Sequence, residues 1–305
     1  MISSVAVCSR SFSSNKFLVN ELKKKFKKVK LNIKGEKLQS DSLIRFIDGY
    51  ESIIIGLEEI NEKILTNSKN LKVISKYGVG IDRINLDALE KFDVKLKFVP
   101  GINKRAVSEL TLALTLNILR NIRQLNTEVI SGVWKQNKGR ELTESRVGIV
   151  GFGNIGKDFC TLLKPFNCSI SYFDPYYFEN IYNQQAITKL SLEDIFKKCD
   201  IISIHLPLNS KTKNLITKKY LKFMSLNSIL INTSRGNIVN EEDLYNCLFN
   251  KLIAGAGFDV MAIEPPKNYN LIKLNNFFIT PHVGSSTVET IKKMGLAAID
   301  SITNS

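Results

Sequence analysis

The chain has 305 residues, of which 44% are hydrophobic and 24% are charged. This composition is typical of globular proteins and excludes a disordered or fibrous class, and the length favours two domains. The net charge of +14 would suit a nucleic-acid-binding protein, but the lysines are spread along the chain. The one dense lysine cluster, at 23–28, closes a predicted amphipathic helix, where a solvated helix face is the simpler explanation. We therefore expect no nucleic acid as a partner.

The five cysteines form no C-x-x-C pair and no metal-ligand spacing, and their odd number argues against a disulfide framework. We expect no metal and a reducing, cytoplasmic environment. The amino terminus lacks a basic segment ahead of an apolar one, and apolar runs such as 53–57 are far too short to span a bilayer. The sequence predicts neither export nor a membrane anchor.

Short apolar runs alternate with helical patterns in the amino-terminal third of the chain. This alternation predicts a small parallel α/β unit. The alternating segments are 5–8, 16–26, 29–33, 42–47, 52–57 and 71–75. An apolar stretch of helix length, 107–119, follows a Pro100-Gly101 turn and is predicted to lead into a second unit.

A second series of the same kind begins at Val147 and predicts a larger α/β unit. Its later segments are 169–173, 201–205, 229–232, 254–258 and 277–280. A closing helix is predicted over 287–302. If that helix returns to the first unit, the chain crosses twice between units and a cleft lies between them.

The strand at 146–150 runs directly into the motif Gly151-Phe152-Gly153-Asn154-Ile155-Gly156, and a helical pattern follows. In this order the first glycine makes a tight turn, the second lets backbone approach a pyrophosphate, and the third lets the helix pack on the strand. Asp174 follows the next strand, where a carboxylate would bind a ribose diol and repel a 2′-phosphate. The motif predicts a dinucleotide site that prefers NAD to NADP, and a simple tight turn is the alternative.

Three chemically active side chains, Arg235, Glu264 and His282, each follow a predicted strand. Ligands bind at this end of the strands in doubly wound folds, so we expect the three to converge. Arg235 can hold a carboxylate through two parallel hydrogen bonds and polarise a neighbouring carbonyl. His282 can carry a proton near neutral pH, and Glu264 can hydrogen-bond its imidazole and favour the charged form. For each residue the alternative is an ordinary surface or loop position.

The chain has only one other histidine, His205, which lies at the tail of a predicted strand. We expect a packed imidazole bonded to backbone there. The sequence therefore favours His282 as the proton donor to a keto oxygen while a reduced nicotinamide cofactor supplies hydride, with His282 acting as the base in the reverse reaction.

Further short motifs occur in order along nearly the whole chain. They are Tyr77-Gly78-Val79-Gly80-Ile81-Asp82, Pro100-Gly101-Ile102-Asn103, Val107-Ser108-Glu109-Leu110, Phe173-Asp174-Pro175, His205-Leu206-Pro207-Leu208, Asn232-Thr233-Ser234-Arg235-Gly236, Phe258-Asp259-Val260, Glu264-Pro265-Pro266 and Thr280-Pro281-His282-Val283-Gly284. With these motifs and the glycine motif, the sequence resembles the D-isomer-specific 2-hydroxyacid dehydrogenases, in particular their phosphoglycerate-dehydrogenase-like branch.

The resemblance implies a Rossmann-type doubly wound NAD-binding domain at 100–283 and a smaller flavodoxin-like α/β substrate domain at 1–99 and 284–305. It implies a homodimer joined through the NAD-binding domains. The implied catalytic residues are Arg235, Glu264 and His282. The implied substrate-binding residues are Tyr77, Gly78, Val79, Gly80 and Arg235. The implied cofactor-binding residues are Val79, Gly151, Gly153, Asn154, Ile155, Gly156, Asp174, His205, Leu206, Pro207, Thr233, Ser234, Arg235, Asp259, His282 and Gly284. Among these, Asp259 is expected to orient the nicotinamide amide.

Some positions depart from the family pattern. Asn154 stands where arginine is common in the glycine motif, and Ile55-Gly56 stands where relatives that bind 3-phosphoglycerate commonly carry Arg-Ser. Either Arg10 compensates or the substrate lacks a phosphate. Because the sequence ends at Ser305, we expect no appended regulatory domain.

The sequence therefore predicts an enzyme that interconverts a D-2-hydroxy acid and its 2-keto acid, with 3-phosphoglycerate and 3-phosphohydroxypyruvate as the first pair to test. A non-catalytic NADH-responsive binding protein, as in the C-terminal-binding-protein corepressors of the same fold, is an alternative that the intact catalytic set disfavours. Oxidation of phosphite by the same residues is a third reading.

Overall fold

A computed structural model describes residues 2–176, 187–267 and 269–303 of the chain. The chain divides into two compact units, Met1–Asn103 with Ser285–Ser305, and Lys104–Gly284. These divisions lie close to the boundaries expected from sequence, which fell after residues 99 and 283.

The first unit is built on a five-stranded sheet. Its elements before the division are β1 (Ser4–Val7), α1 (Arg10–Ser14), α2 (Lys16–Lys25), β2 (Lys28–Leu31), α3 (Ser40–Ile47), β3 (Ser52–Ile55), α4 (Glu62–Thr66), β4 (Val73–Lys76), α5 (Leu86–Lys91) and β5 (Lys95–Lys97). The strand order is β2-β1-β3-β4-β5, and every pairing is parallel. This is the flavodoxin-like order.

Local sequence explains these elements. The residues of β3, Ser-Ile-Ile-Ile, are all buried, as expected of a parallel strand covered on both faces. Helices α2, α4 and α5 each begin after an asparagine, Asn15, Asn61 and Asn85, whose side-chain oxygen accepts a hydrogen bond from a first-turn amide. The abundant asparagines of this chain therefore include several that define where helices start.

The second unit is built on a seven-stranded sheet. Its elements are α6 (Lys104–Leu119), α7 (Ile122–Ile130), β6 (Arg146–Val150), α8 (Asn154–Leu163), β7 (Ser169–Phe173), β8 (Thr188–Lys189), α9 (Leu192–Lys198), β9 (Ile201–Ile204), α10 (Lys218–Leu221), β10 (Ile229–Asn232), α11 (Glu241–Phe249), β11 (Gly255–Phe258) and β12 (Phe277–Ile279). The order is β12-β11-β10-β9-β6-β7-β8, with parallel pairings. This is a Rossmann order extended by β12, and it reverses between β6 and β9. The predicted fold class is confirmed.

Helix α6 packs closely on the larger sheet because β11 carries glycines. A Cβ atom at Gly257 would lie 2.7 Å from Ile118 Cδ1, and one at Gly255 would lie 3.1 Å from Ile118 Cγ2. Side chains at these two positions would push the helix away. The helix begins at Lys104, earlier than predicted, and lies wholly in the second unit.

The closing helix, α12 (Val288–Thr303), belongs to the first unit. Its buried Ile299 and Ile302 share a core cluster with Val5 and Leu18. The helix backbone rests directly on Leu18, because a Cβ atom at Gly295 would lie 2.3 Å from Leu18 Cδ2. The carboxyl-terminal segment thus completes the core of the amino-terminal unit.

The five cysteines are all free thiols. Burial raises the pKa of Cys160, Cys199 and Cys247 to about 11, so these thiols are protonated at neutral pH and are poor nucleophiles. Within the described ranges, no helix combines the length and the apolar character needed to cross a bilayer.

Candidate active site

The structure brings Glu264 and His282 into direct contact within the second unit. His282 Nδ1 lies 2.8 Å from Glu264 Oε2. Burial alone would raise the pKa of Glu264, but the hydrogen bond and charge of His282, with help from the Met261 amide and the Arg235 guanidinium, hold it below its usual value. Glu264 is therefore an ionised partner for the imidazole, and the opposite ring nitrogen, Nε2, points away from this bond.

The loop that carries His282 is held by the buried carboxylate of Asp259. Its Oδ1 atom accepts hydrogen bonds from Thr280 Oγ1 at 2.6 Å and from the Val283 amide at 2.8 Å, and its Oδ2 atom accepts one from the Gly284 amide at 2.8 Å. The His282 amide also donates to the Asp259 carbonyl oxygen at 2.8 Å. These contacts give Asp259 a role in fixing the loop, and its expected contact with a nicotinamide amide remains a proposal.

Arg235 lies in a loop fixed by Asn232, a buried residue that sequence analysis did not assign to the site. Asn232 Oδ1 accepts from the Ser234 amide at 3.0 Å and from Ser234 Oγ at 2.8 Å, while Nδ2 donates to the Arg235 carbonyl oxygen at 3.0 Å. The half-buried Arg235 contributes to the lowered pKa of Glu264, so the two side chains share one electrostatic environment. The sequence did contain a signal for Asn232, because it is a polar residue at the end of an otherwise apolar strand.

The three glycines of the motif have different surroundings. Gly151 has a φ angle of +95°, and a Cβ atom there would lie 2.7 Å from the His205 carbonyl oxygen. A Cβ atom at Gly156 would lie 2.2 Å from the Gly151 carbonyl oxygen, whereas one at Gly153 would meet nothing within 4 Å. Gly151 and Gly156 are therefore required by packing, and Gly153 leaves open space beside the backbone.

That open space lies at the amino terminus of α8. No side chain caps this helix and its first turn has no acidic residue, so its first amides can bind an anion. The motif follows β6, next to the point where the strand order reverses, which is where doubly wound folds bind dinucleotides. The residues present fit a pyrophosphate.

Asp174 is buried at the end of β7. Its Oδ2 atom accepts a hydrogen bond from the Phe152 amide at 2.7 Å, and its Oδ1 atom accepts one from the Tyr176 amide at 2.9 Å. Each carboxylate oxygen can accept a further hydrogen bond. Asp174 therefore fits a ribose diol and is anchored to the glycine turn itself.

His205 is packed, but its ring partner differs from the expected one. The ring bonds through Nε2 to Ser203 Oγ at 2.8 Å, not to backbone, and it lies 5.6 Å from the Phe159 ring. Burial lowers the pKa of His205 to about 3, so the ring is neutral at neutral pH. This histidine is poorly suited to donate a proton.

Four other expected cofactor residues lie at the same edge of the sheet. Leu206 is buried and would be 3.0 Å from a Cβ atom at Gly151, whereas Pro207 is exposed. The hydroxyl of Thr233 is bonded to Thr111 Oγ1 at 2.9 Å, and that of Ser234 is bonded to Asn232. Because both hydroxyls are already engaged, these two residues are better placed to contact a ligand through their backbone.

In the first unit, the expected substrate-binding segment follows β4. Tyr77 is buried, with its ring edge-on to Phe12 at 5.4 Å, so its side chain serves the core. Gly78 has a φ angle of +130°. Among the described residues, no acceptor receives a hydrogen bond from the amides of Gly78, Val79 or Gly80. Three successive amides are thus available to a carboxylate.

Comparison with known proteins agrees with this geometry. A family model for the NAD binding domain of D-isomer specific 2-hydroxyacid dehydrogenases matches residues 112–284. A Polaromonas sp. JS6 66 crystal structure, described as a D-isomer specific 2-hydroxyacid dehydrogenase, superposes with a TM-score of 0.90 at 27% identity, covering 99% of this chain and 96% of that one.

Relatives with named activities match most of this chain. The hydroxypyruvate reductase of Thermotoga maritima is 30% identical over 281 residues, covering 90% of this chain and 91% of that protein. The glyoxylate reductase of Thermococcus litoralis is 34% identical over 260 residues, covering 82% and 78%. The D-3-phosphoglycerate dehydrogenase of Methanocaldococcus jannaschii is 32% identical over 247 residues, covering 80% of this chain but 47% of that enzyme, so the chain spans about half its length.

The family model spans more than half of the chain, and the described geometry of the glycine turn fits the cofactor of that family. The chain belongs to the D-isomer-specific 2-hydroxyacid dehydrogenases, a family of NAD-dependent oxidoreductases, and carries their NAD-binding domain.

Proposed function

We propose that the chain reduces a small 2-keto acid to the D-2-hydroxy acid and catalyses the reverse oxidation. The observation that carries this proposal is the 2.8 Å hydrogen bond between Glu264 and His282. Arg235 lies close enough to this pair for the charge of its guanidinium to lower the pKa of Glu264. NADH, when bound, supplies the hydride. His282 donates the proton to the keto oxygen from Nε2, and Glu264 stabilises the imidazolium through Nδ1. Arg235 polarises the keto group and binds the neighbouring carboxylate.

The remaining expected residues take binding roles in the same proposal. The amides of Gly78, Val79 and Gly80 hold the substrate carboxylate, so the first unit is the substrate domain. The turn at Gly153 and the start of α8 hold the pyrophosphate, and Asp174 binds the ribose diol in preference to a 2′-phosphate.

The charges at the end of β3 favour a substrate without a phosphate. Glu58 Oε2 accepts a hydrogen bond from the Gly56 amide at 2.6 Å, and Lys76 Nζ donates to the Gly56 carbonyl oxygen. The Glu58 carboxylate offsets the Lys76 ammonium and would repel a phosphate dianion at this strand end, while the Arg83 guanidinium is directed to the Leu57 carbonyl oxygen at 3.3 Å. Ile55 is buried and adds no charge.

The named relatives bear on the same choice. They include a hydroxypyruvate reductase and a glyoxylate reductase, whose named substrates carry no phosphate, beside a D-3-phosphoglycerate dehydrogenase. We therefore rank hydroxypyruvate and glyoxylate ahead of 3-phosphohydroxypyruvate. Arg10 is the exposed first residue of α1, and its positive charge would suit a phosphate group. We therefore retain 3-phosphohydroxypyruvate as the second candidate substrate.

A substrate panel tests the proposal. The purified protein, supplied with NADH, is assayed by loss of nicotinamide absorbance with glyoxylate, hydroxypyruvate, pyruvate and 3-phosphohydroxypyruvate. We expect kcat/KM for a non-phosphorylated keto acid to exceed that for 3-phosphohydroxypyruvate by about tenfold, equivalent to about 1.4 kcal/mol. Glu58→Gln should narrow this ratio and Arg10→Ala should leave it unchanged. Inactivity on the whole panel with NADH still bound would favour the NADH-responsive binding protein.

We also propose that the protein is a homodimer joined through α7 and the residues after it. Helix α7 has no buried residue. Trp134 is 83% exposed and Ile130 is 78% exposed, with Val129 and Val133 exposed beside them in sequence. A cluster of exposed apolar side chains of this kind is typical of a protein interface, and a second copy of the chain is the partner that the family resemblance implies.

A further inference from the structure

Glu241 makes a contact that links α11 to the loop of Glu264. It is the first residue of α11, and its Oε1 atom accepts a hydrogen bond from the Ala262 amide at 2.6 Å. Ala262 lies between β11 and Glu264. The helix does not need Glu241 as a cap, because Asn240 already accepts a hydrogen bond from the Asp243 amide at 2.9 Å.

The peptide held by Glu241 also touches the segment of Arg235. A Cβ atom at Gly236 would lie 2.0 Å from the Met261 carbonyl carbon and 2.3 Å from the Ala262 nitrogen. Asn237 Nδ2 donates to the Ala262 carbonyl oxygen at 3.4 Å. The backbone beside Arg235 therefore packs directly on the 261–262 peptide.

The preceding peptide, between Val260 and Met261, is bonded to Glu264 itself. The Met261 amide donates to Glu264 Oε1 at 3.1 Å, and the other oxygen of Glu264 holds His282. A continuous set of contacts thus runs from Glu241 through the successive amides of Ala262 and Met261 to Glu264 and then to His282. Burial raises the pKa of Glu241, the hydrogen bond from the Ala262 amide lowers it in part, and the charge of Glu264 raises it, so the net shift is upward and the ionised side chain is held here at some electrostatic cost.

We propose that Glu241 is a positioning residue that fixes the Ala262 amide and, through it, the placement of Glu264 against Arg235 and His282. This inference rests on the proposed function, since the alignment matters for proton transfer. Displacement of a catalytic group by about 1 Å can lower turnover about 100-fold.

The test compares one substitution at two adjacent positions. Glu241→Asp keeps the charge and the helix start but shortens the side chain, so its carboxylate no longer reaches the Ala262 amide. Glu242→Asp is the matched control, since Glu242 is exposed in the same helical turn. We expect Glu241→Asp to lower kcat about 10- to 100-fold with NADH affinity unchanged, and Glu241→Gln, which keeps the acceptor at full length, to retain most activity. Glu242→Asp should match the wild type.

A second readout does not depend on turnover. The carbon-bound Hε1 proton of the His282 ring should give an NMR resonance that responds to the contact between Nδ1 and Glu264, and it is simple to assign, since the chain has only two histidines. It should shift in Glu241→Asp and keep its position in Glu241→Gln and Glu242→Asp. If the wild-type protein is inactive on the whole substrate panel, the proposed function is wrong. The His282 resonance would still show whether Glu241 positions Glu264. An unchanged resonance or unchanged kcat in Glu241→Asp, or an equal effect in Glu242→Asp, would overturn the inference.

Discussion

At the scale of single residues, hydrogen bonds from neighbouring groups stabilise a strained backbone conformation at His282 and a charged side chain at Glu264. His282 has a φ angle of +54°, in the left-handed region that non-glycine residues rarely adopt. Such a conformation costs about 1 to 3 kcal/mol and persists only where surrounding contacts impose it. Asp259 supplies those contacts on both sides of His282. The imidazole is thus fixed before any substrate binds.

Replacing His282 tests its role as the proton donor. Asparagine tolerates a positive φ angle, so His282→Asn should keep the loop while removing the acid. We expect kcat to fall 100-fold or more, as is typical when a general acid is lost, with NADH affinity changed by less than about twofold. Steady-state kinetics and a fluorescence titration with NADH measure the two effects. Turnover equal to that of the wild type would rule out His282 as the donor.

Glu264 gives the reaction a predictable pH dependence. Because its pKa is lowered, the carboxylate stays charged at neutral pH and is protonated only as the pH falls through the lowered value. The stability that the pair adds is therefore present above the usual glutamate range and lost at more acidic pH. Glu264→Gln removes the charge at every pH, so the imidazolium loses its partner. We expect the alkaline decline of keto acid reduction to move to lower pH in a profile of kcat/KM, and superimposable profiles would exclude Glu264 from the proton path.

At the scale of elements, the glycines in the turn between β6 and α8 have two different roles, one in packing and one in ligand binding. The backbone of α8 approaches β6 closely at Gly156, while Gly153 faces open space. The same residue type therefore serves two purposes within one motif. The first purpose is a packing condition of the fold, and the second is room for a ligand.

Two alanine substitutions distinguish these purposes. Gly156→Ala should lower the free energy of unfolding by about 3 kcal/mol, because its Cβ would overlap the Gly151 carbonyl oxygen. Gly153→Ala should lower that free energy by about 1 kcal/mol or less, because Gly153 is the N-cap of α8 and alanine is a poorer N-cap, yet weaken NADH binding because the methyl group occupies the space proposed for the pyrophosphate. Urea unfolding and NADH titration of both variants measure the difference. Equal loss of stability in the two variants would contradict this assignment.

At the scale of the whole molecule, its basic character does not single out one surface. Lys23, Lys24 and Lys25 lie in the last turn of α2, where positive charge is favourable near the helix carboxyl terminus. The exposed apolar residues around α7 are the more specific surface feature, and they lie in the unit that carries the NAD-binding domain.

The proposed dimer is tested by placing charge in that surface. Ile130→Asp combined with Trp134→Asp should convert dimers to monomers, since burying two carboxylates without partners costs several kcal/mol. Sedimentation or light scattering gives the mass of the particle. Phe249→Asp, at an exposed apolar residue on α11, is the control and should leave the mass unchanged. A wild-type protein that is already monomeric would end the proposal.

The sequence by itself determined the fold class, the strands 169–173 and 229–232 with their observed bounds, and the glycine turn. Apolar runs and the backbone freedom of glycine are properties of the local sequence, so the order of residues along the chain is enough to reveal them. Helix α7 was missed because none of its residues is buried, and a predicted core-facing stripe was therefore absent.

Only the tertiary structure decided which polar groups hold the catalytic candidates. The contacts of Glu241 with Ala262 and of Asp259 with the His282 loop depend on how neighbouring strands and their following loops meet at one edge of the sheet. The partners in each contact are separated in the chain by more than 20 residues, and no local pattern records their approach. The residue types were enough to propose proton transfer and carboxylate binding. The relative placement of those residues required the packed sheet that brings them together.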